Sequence, residues 1–149
     1  MRLAFVPSVL FASLGLSGAA AAADLKIDGQ TTVEKALGDS LSLTVSGTVG
    51  KPVSLLVDVS AGPVSAFGRS LPLGFTPLLV ILPLGSVPAG GTLTVADAVP
   101  DFAPLAGNTL HFLAAVHDEA FPFGLDFSGG ASLSIVPKPT AGASQATLV

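Results

Sequence analysis

The residues of this chain that can be buried recur at every second position, and a period of two admits strands and little else. Across residues 41–46, Leu41, Leu43 and Val45 share one face, while Ser42, Thr44 and Ser46 share the other. Val53, Leu55, Val57 and Val59 line up in the same way. So do Leu93 with Val95, Leu110 with Phe112, Ala114 and Val116, and Ala131 with Leu133 and Ile135. Most strands are therefore expected to keep one wet, hydroxyl-bearing face. Residues 78–82 are a continuous apolar run instead, which suits a strand covered on both sides or one lying at a domain face.

Turn-forming residues separate these stretches: Gly47 with Gly50 and Pro52, Gly62-Pro63, Pro88 with Gly90-Gly91, Pro100 with Pro104, Gly107-Asn108 and Gly129-Gly130. Short strands with such punctuation and no helical period predict an all-β chain. The expected fold is an antiparallel β-sandwich, immunoglobulin-like in the loose architectural sense. Residues 24–29 are placed as an added edge strand. Residues 32–37 fit a short helical turn as well as they fit extended chain. Residues 137–149 are Pro, Ala, Gly, Ser and Thr without a pattern and read as a disordered C-terminal tail. The sandwich domain is thus expected over 24–136.

The first 23 residues follow a different grammar. Met1-Arg2 gives a positive start, residues 3–16 are almost wholly apolar, and residues 19–23 are a run of alanine. That is the pattern of a secretory signal peptide, with an A-x-A site at Ala21-Ala22-Ala23. Cleavage there starts the mature chain at Asp24 and places it in the periplasm or outside the cell. The same stretch is about long enough to span a bilayer. Pro7, Gly15 and Gly18 interrupt it, however, and no basic stop-transfer cluster follows, so no membrane span is expected after cleavage. The chain has no Cys, which excludes a disulfide and a lipid-modified N-terminal Cys. Ten Asp and Glu face six Lys and Arg, and removal of Arg2 deepens the negative balance. Such a chain has no electrostatic footprint for nucleic acid or anionic lipid.

The segments Leu71-Pro72-Leu73-Gly74, Pro88-Ala89-Gly90-Gly91-Thr92-Leu93, Pro104-Leu105-Ala106-Gly107 and Phe127-Ser128-Gly129-Gly130 punctuate the strands at residues 78–84, 110–116 and 133–135. In this order they resemble a β-sandwich module that recurs in uncharacterised exported proteins of environmental bacteria, over residues 40–136. In that family an aromatic residue and a Gln commonly flank the Phe of the Leu-x-Phe-x-Ala strand. His111 and Leu113 stand there in this chain. The resemblance implies a fold and export, and the family has no established activity to carry over.

Residues able to do chemistry are few. His111 and His117 fall on one outward strand face, six residues and about 20 Å apart at ~3.3 Å per residue, too far to share a metal ion. Without Cys, and with the single Met at position 1, a soft-metal site has no ligands. No metal and no cofactor are expected. His117, Asp118 and Glu119, with Asp126 returning from the other arm of a loop, form the densest polar cluster. It reads as a weak site for a hard cation, as an acid–base pair, or as a solvated hairpin. Phe121, Pro122 and Phe123 in the same loop read as a lid on the sandwich end, or, if exposed, as a contact site. Phe102 is treated alike. No Ser sits in a G-x-S-x-G elbow, and residues 47–51 are too short for a phosphate loop, with Pro52 where Ser or Thr is needed.

These features point to an exported, non-catalytic β-sandwich with a structural or protein-interaction role at the cell envelope or outside the cell. Its partner is a protein or an extracellular polysaccharide. The candidate binding residues are Phe121, Phe123, His117, Asp118, Glu119 and Asp126. The alternative is a carbohydrate-binding module, which requires Asp118, Glu119, Asp126 or Asn108 to converge on a shallow face. The absence of Trp and Tyr weighs against it. A serine hydrolase requires a Ser hydroxyl within hydrogen-bond reach of His111 or His117.

Overall fold

The computed structural model of the chain describes residues 22–139. All of the expected signal peptide except Ala22 and Ala23 lies outside the described residues, as does the expected tail from residue 140 onward. Eleven strands follow one another: β1 (Asp24–Ile27), β2 (Thr32–Ala36), β3 (Ser40–Ser46), β4 (Pro52–Asp58), β5 (Val64–Ala66), β6 (Arg69–Leu71), β7 (Val80–Ser86), β8 (Thr92–Ala98), β9 (Thr109–His117), β10 (Leu125–Phe127) and β11 (Ala131–Val136). The only helical pieces among the described residues are two single 3₁₀ turns, at Ala103–Leu105 and Pro122–Gly124.

The strands form an all-β sandwich. The large sheet runs β2-β11-β9-β4-β7, and β10 extends the β11 edge along the C-terminal end of β9. The small sheet runs β1-β3-β8. Every pairing in the two sheets is antiparallel except that of β2 with β11, which is parallel. Residues 32–36 are therefore strand, not helical turn, and Leu37 begins the turn that follows. Val33, with an intermediate burial, packs on the core from β2, and Ala36 is buried where β2 ends. Residues 24–27 form the expected edge strand.

The period-two residues meet between the sheets. Leu25, Ile27, Leu41, Leu43 and Val45 from the small sheet pack against Val53, Leu55, Phe112, Ala114, Val116, Leu133 and Ile135 from the large one. Full burial of each Leu, Ile or Val contributes roughly 1.5–3 kcal/mol. The sheets come close at one end because Gly47 lies against Val116. A Cβ there would sit 3.0 Å from a Val116 methyl.

The large sheet departs from the one-wet-face expectation. Leu56, Leu113, Ala115 and Phe127 point away from the small sheet, yet they are buried under Leu71 and Leu73. Residues 59–79, which leave β4 and return as β7, fold back over this outer face and contain the β5–β6 hairpin. The sequence pattern did not reveal this cover. It also explains why Val59, expected on the inner face, is exposed: the chain turns out of β4 at Asp58.

Asp58 fixes the departure point. Its carboxylate accepts hydrogen bonds from the Val59 N–H (2.7 Å), the Thr76 N–H (2.7 Å) and the Thr76 hydroxyl. Burial pushes its pKa up, but the Thr76 and Val59 donors outweigh this and hold it below the ordinary value, with His111 adding to their effect. Gly62, at φ +78°, lets the cover close: a Cβ there would meet the Leu73 carbonyl oxygen at 2.6 Å.

Candidate functional site

Of the six residues expected to bind, Asp126 lies on the inner side of the large sheet, and His117 and Phe123 lie on the outer side. Alternation along β10 separates them. Asp126 is the register partner of Val116 and faces the inner core, whereas Phe127 and the nearby Phe123 belong to the outer face.

The polar group is not an open cluster. Asp118 is buried and accepts the Ala120 N–H at 3.0 Å. The Thr48 hydroxyl and that N–H hold its pKa below the usual carboxylate value. Glu119 is exposed and pairs with Lys51, which lowers the pKa of the acid and raises that of the amine. Asp126 is buried. Asn108 lies at the far end of β9, its amide donating to the Pro104 carbonyl at 2.9 Å. The shallow, convergent face that a sugar-binding reading requires is therefore not assembled from these residues. No group of three or more metal-ligating side chains forms among the described residues.

His117 is exposed on the outer face, and its Nε2 lies 2.9 Å from the Ser54 hydroxyl. Cross-strand register produces this contact. Ser54 is the partner of Ala115, two residues before His117 on the same face. A β-bulge between β4 and β7 falls beside Ser54, which pairs with Pro83 while Val53 pairs with Gly85. No carboxylate hydrogen-bonds to His117 among the described residues. His111, by contrast, lines a separate surface hollow with Thr31 and Pro72.

Next to the Ser54–His117 pair the cover is incomplete. An apolar groove of about 180 Å³ is walled by Leu56, Phe67, Phe75, Leu79, Ile81 and Phe127. A second hollow continues from it past Phe67 and Phe127 to Arg69 and Phe123. Together they make one band across the outer face, from the free edge at β7 to the β9–β10 loop. Phe123 is 70% exposed and Ile81 59% exposed. Phe123 is thus no lid, whereas Phe121 is half-buried beside it. Phe102 is exposed but lies outside this band. The Phe67 ring stands edge-on to Phe123 at 5.9 Å and tilted against Phe127 at 5.5 Å. The Arg69 guanidinium sits over the Phe127 ring, 5.6 Å from its centroid.

The band has an unusual backbone. Four non-glycine residues have positive φ among those described: Asp28, Phe67 (φ 53°), Phe75 (φ 51°) and Phe123 (φ 61°). Three of the four are phenylalanines of the band. A bulky side chain in this region is a conformational outlier, costing about 1–3 kcal/mol per residue. Phe67 and Phe123 each precede a positive-φ glycine, Gly68 and Gly124. Phe67-Gly68 thereby closes the β5–β6 hairpin as a two-residue turn with both φ positive.

Of these residues, sequence reasoning found His117 and Phe123 but missed Ser54, Phe67, Phe75, Arg69 and Ile81 as members of one surface. The available signal was the Phe-Gly dipeptides at 67 and 123, each marking a tight turn that carries a ring. No protein-family model matches the chain, and a search of curated proteins finds no match.

Proposed function

We propose that this protein is an exported, non-catalytic interaction module, periplasmic or secreted, that binds a partner protein through the apolar band on its outer face. The observation that carries this reading is the placement of Phe67, Phe75 and Phe123 in left-handed backbone on one surface. Strain of this kind persists where the surrounding structure holds it, and it concentrates at binding sites. Here it keeps the Phe67 and Phe123 rings at the surface, 42% and 70% exposed, beside the half-buried Phe75. The free edge of β7 borders the same band, so an extended segment of the partner has unpaired main-chain groups to meet as well as apolar pockets.

The export part of the proposal rests on the pattern of residues 1–23. The immunoglobulin-like part rests on strand order: β1, β3 and β8 in one sheet face β4, β9 and β11 in the other, as ABE faces CFG. The resemblance to modules of exported bacterial proteins is in keeping with both. No helix among the described residues is long and apolar enough to cross a membrane.

One observation favours a second reading, a serine hydrolase: the Ser54–His117 hydrogen bond. Ser54 lies within a strand paired on both sides, and its imidazole partner has no orienting carboxylate among the described residues, so we place this reading second.

The test is a cross-linked pull-down of the tagged mature domain from its native envelope and medium, run beside Phe123→Ser and Ile81→Lys variants. The expected result is one protein recovered reproducibly by the parent and lost from both variants. Equal recovery by all three removes the band as the contact surface. Polysaccharide recovered without protein puts the sugar-binding reading first. Ester hydrolysis that disappears in Ser54→Ala puts the hydrolase first.

A further inference from the structure

Asp126 sits where a carboxylate is costly. As the register partner of Val116 it enters the space between the sheets, is 1% exposed, and has no hydrogen-bond partner on either oxygen among the described residues. Among the described residues two charged groups act on it, and neither is its counter-ion. Arg69 stands on the other side of the sheet, over the Phe127 ring. Asp118, beyond the end of β9, carries the same sign. Burial, the largest influence, and Asp118 push the Asp126 pKa up, while the Ala23 backbone N–H and Arg69 pull it down.

Ala23 occupies the same end of the core. It is 6% exposed and packs with the inner cluster. Its neighbour Asp24 pairs with Ser46, which places Ala23 beside Gly47, and Gly47 lies against Val116. Four strands, β1, β3, β9 and β10, thus place the Ala23 backbone nitrogen and the Asp126 carboxylate at the same end of the core, short of a hydrogen bond between them.

The alanine run offers more than one cut. Ala20-Ala21-Ala22 satisfies the small-x-small rule as well as Ala21-Ala22-Ala23 does. Cutting after Ala23 discards a core residue, whereas cutting after Ala22 keeps it. We propose that the leader is removed between Ala22 and Ala23, and that the α-ammonium freed on Ala23 is the counter-ion of the buried Asp126 carboxylate. This rests on the export reading above. Hydrolysis of that peptide bond by water leaves a carboxylate on Ala22 and an ammonium on Ala23. Before the cut, the Ala23 nitrogen is a neutral amide and the Asp126 oxygens have no hydrogen-bond partner among the described residues. After it, an orphaned buried charge becomes an ion pair, and folding is linked to processing. Pairing raises the ammonium pKa, so its contribution to stability is complete below the ~8 usual for an α-amino group and is lost as pH rises through the folded value.

The first test is N-terminal sequencing and intact mass of the protein recovered from an export-competent host. A chain beginning at Ala23 is expected. A chain beginning at Asp24 or Ala22 overturns the inference and leaves export standing, whereas a retained chain beginning at Met1 overturns both. The second test measures the Asp126 carboxyl titration by NMR in a chain released at Ala23 from a cleavable fusion, with its amine free or acetylated. The expected midpoint is lower by about 1–3 pH units in the free-amine form. The α-amine midpoint should return to its ordinary value in Asp126→Asn. Equal Asp126 midpoints in the two forms overturn the pairing even where the start is Ala23.

Discussion

The two faces of the large sheet are buried in different ways. On the inner face, strands meet strands: Val53, Leu55, Phe112 and Leu133 are covered by regular β-structure whose own backbone groups are used in ladders. On the outer face, Leu56, Leu113 and Ala115 are covered by one excursion of the chain, residues 59–79, pinned at Asp58 and by the close approach of Gly62 to Leu73. The inner cover gives way only toward β7, where Val80 and Leu82 are exposed beside an apolar hollow of about 220 Å³ that reaches Leu55 and Phe112. The outer one stops short, leaving Ile81, Phe67 and Phe123 in solvent. A sandwich needs only its inner face to fold, so the outer cover is free to be partial, and where it ends the molecule presents apolar surface. Segments held by few contacts open at low cost, so the excursion is expected to be the less stable of the two covers.

The sharpest way to break this comparison is to cut the same side-chain atoms from the inner core and from the outer cover. Leu133→Ala, on the inner face, is expected to cost about 2–5 kcal/mol, read as a lower urea midpoint with an unchanged slope. Leu73→Ala removes an equally buried side chain from the excursion, whose loops settle more easily into the gap, and is expected to cost about 2 kcal/mol, the low end of that range. Hydrogen exchange distinguishes the mechanisms. Leu73→Ala should expose amides of residues 59–79 while those of β3 stay protected. Loss of protection at β3 to the same extent would show that both covers unfold as one unit.

The inner face was legible in the sequence because each of its strands has one apolar side. Leu41, Leu43 and Val45 announce it without knowledge of their partners. The outer face was not, because its burial depends on a segment far along the chain. Nothing near Leu113 or Ala115 tells that Leu71 and Leu73 will lie over them. In Phe112–Val116 both alternate sets are apolar, a local hint of two-sided burial, whereas the apolar run at 78–82 that carried the same hint lies largely exposed at the sheet edge. The β2 strand escaped because Thr32–Ala36 has too few apolar residues to show a period, and its place is set by parallel pairing with β11. For the candidate site, Phe123 and His117 stood out by composition. Ser54 and Phe67 needed register and turn geometry before they could be joined to them.

A smaller effect, with a pH signature, comes from the pin. Asp58→Asn removes the charge from three hydrogen bonds and is expected to cost about 1–3 kcal/mol at neutral pH. The Asp58 pKa is lowered in the folded chain. Its contribution is therefore present above the unfolded value of ~3.9 and is lost as pH falls through the lower folded value. Urea midpoints measured down through this range should fall for the parent and converge on those of Asp58→Asn. Parallel curves would mean that the carboxylate does not anchor the excursion through its charge.

The smallest expected effect on stability tests the largest functional claim. Glycine adopts the φ of +61° found at Phe123 without steric cost, so Phe123→Gly relieves strain of about 1–2 kcal/mol. Against this stand the edge-on contact with Phe67, about 0.5–1.5 kcal/mol, and the added freedom of the unfolded chain, about 0.5–1 kcal/mol. The sum is near zero, and the urea midpoint is expected to stay within about 1 kcal/mol of the parent. Phe67→Gly should cost more, because Phe67 also packs on buried Phe127. A core phenylalanine deleted from the inner face, by contrast, costs about 3–5 kcal/mol. A Phe123→Gly protein that is as stable as the parent yet fails to recover the partner would locate the reason for the strained ring in binding. A loss on the inner-face scale would instead make Phe123 part of the cover, and the comparison between the two faces would no longer separate folding from recognition.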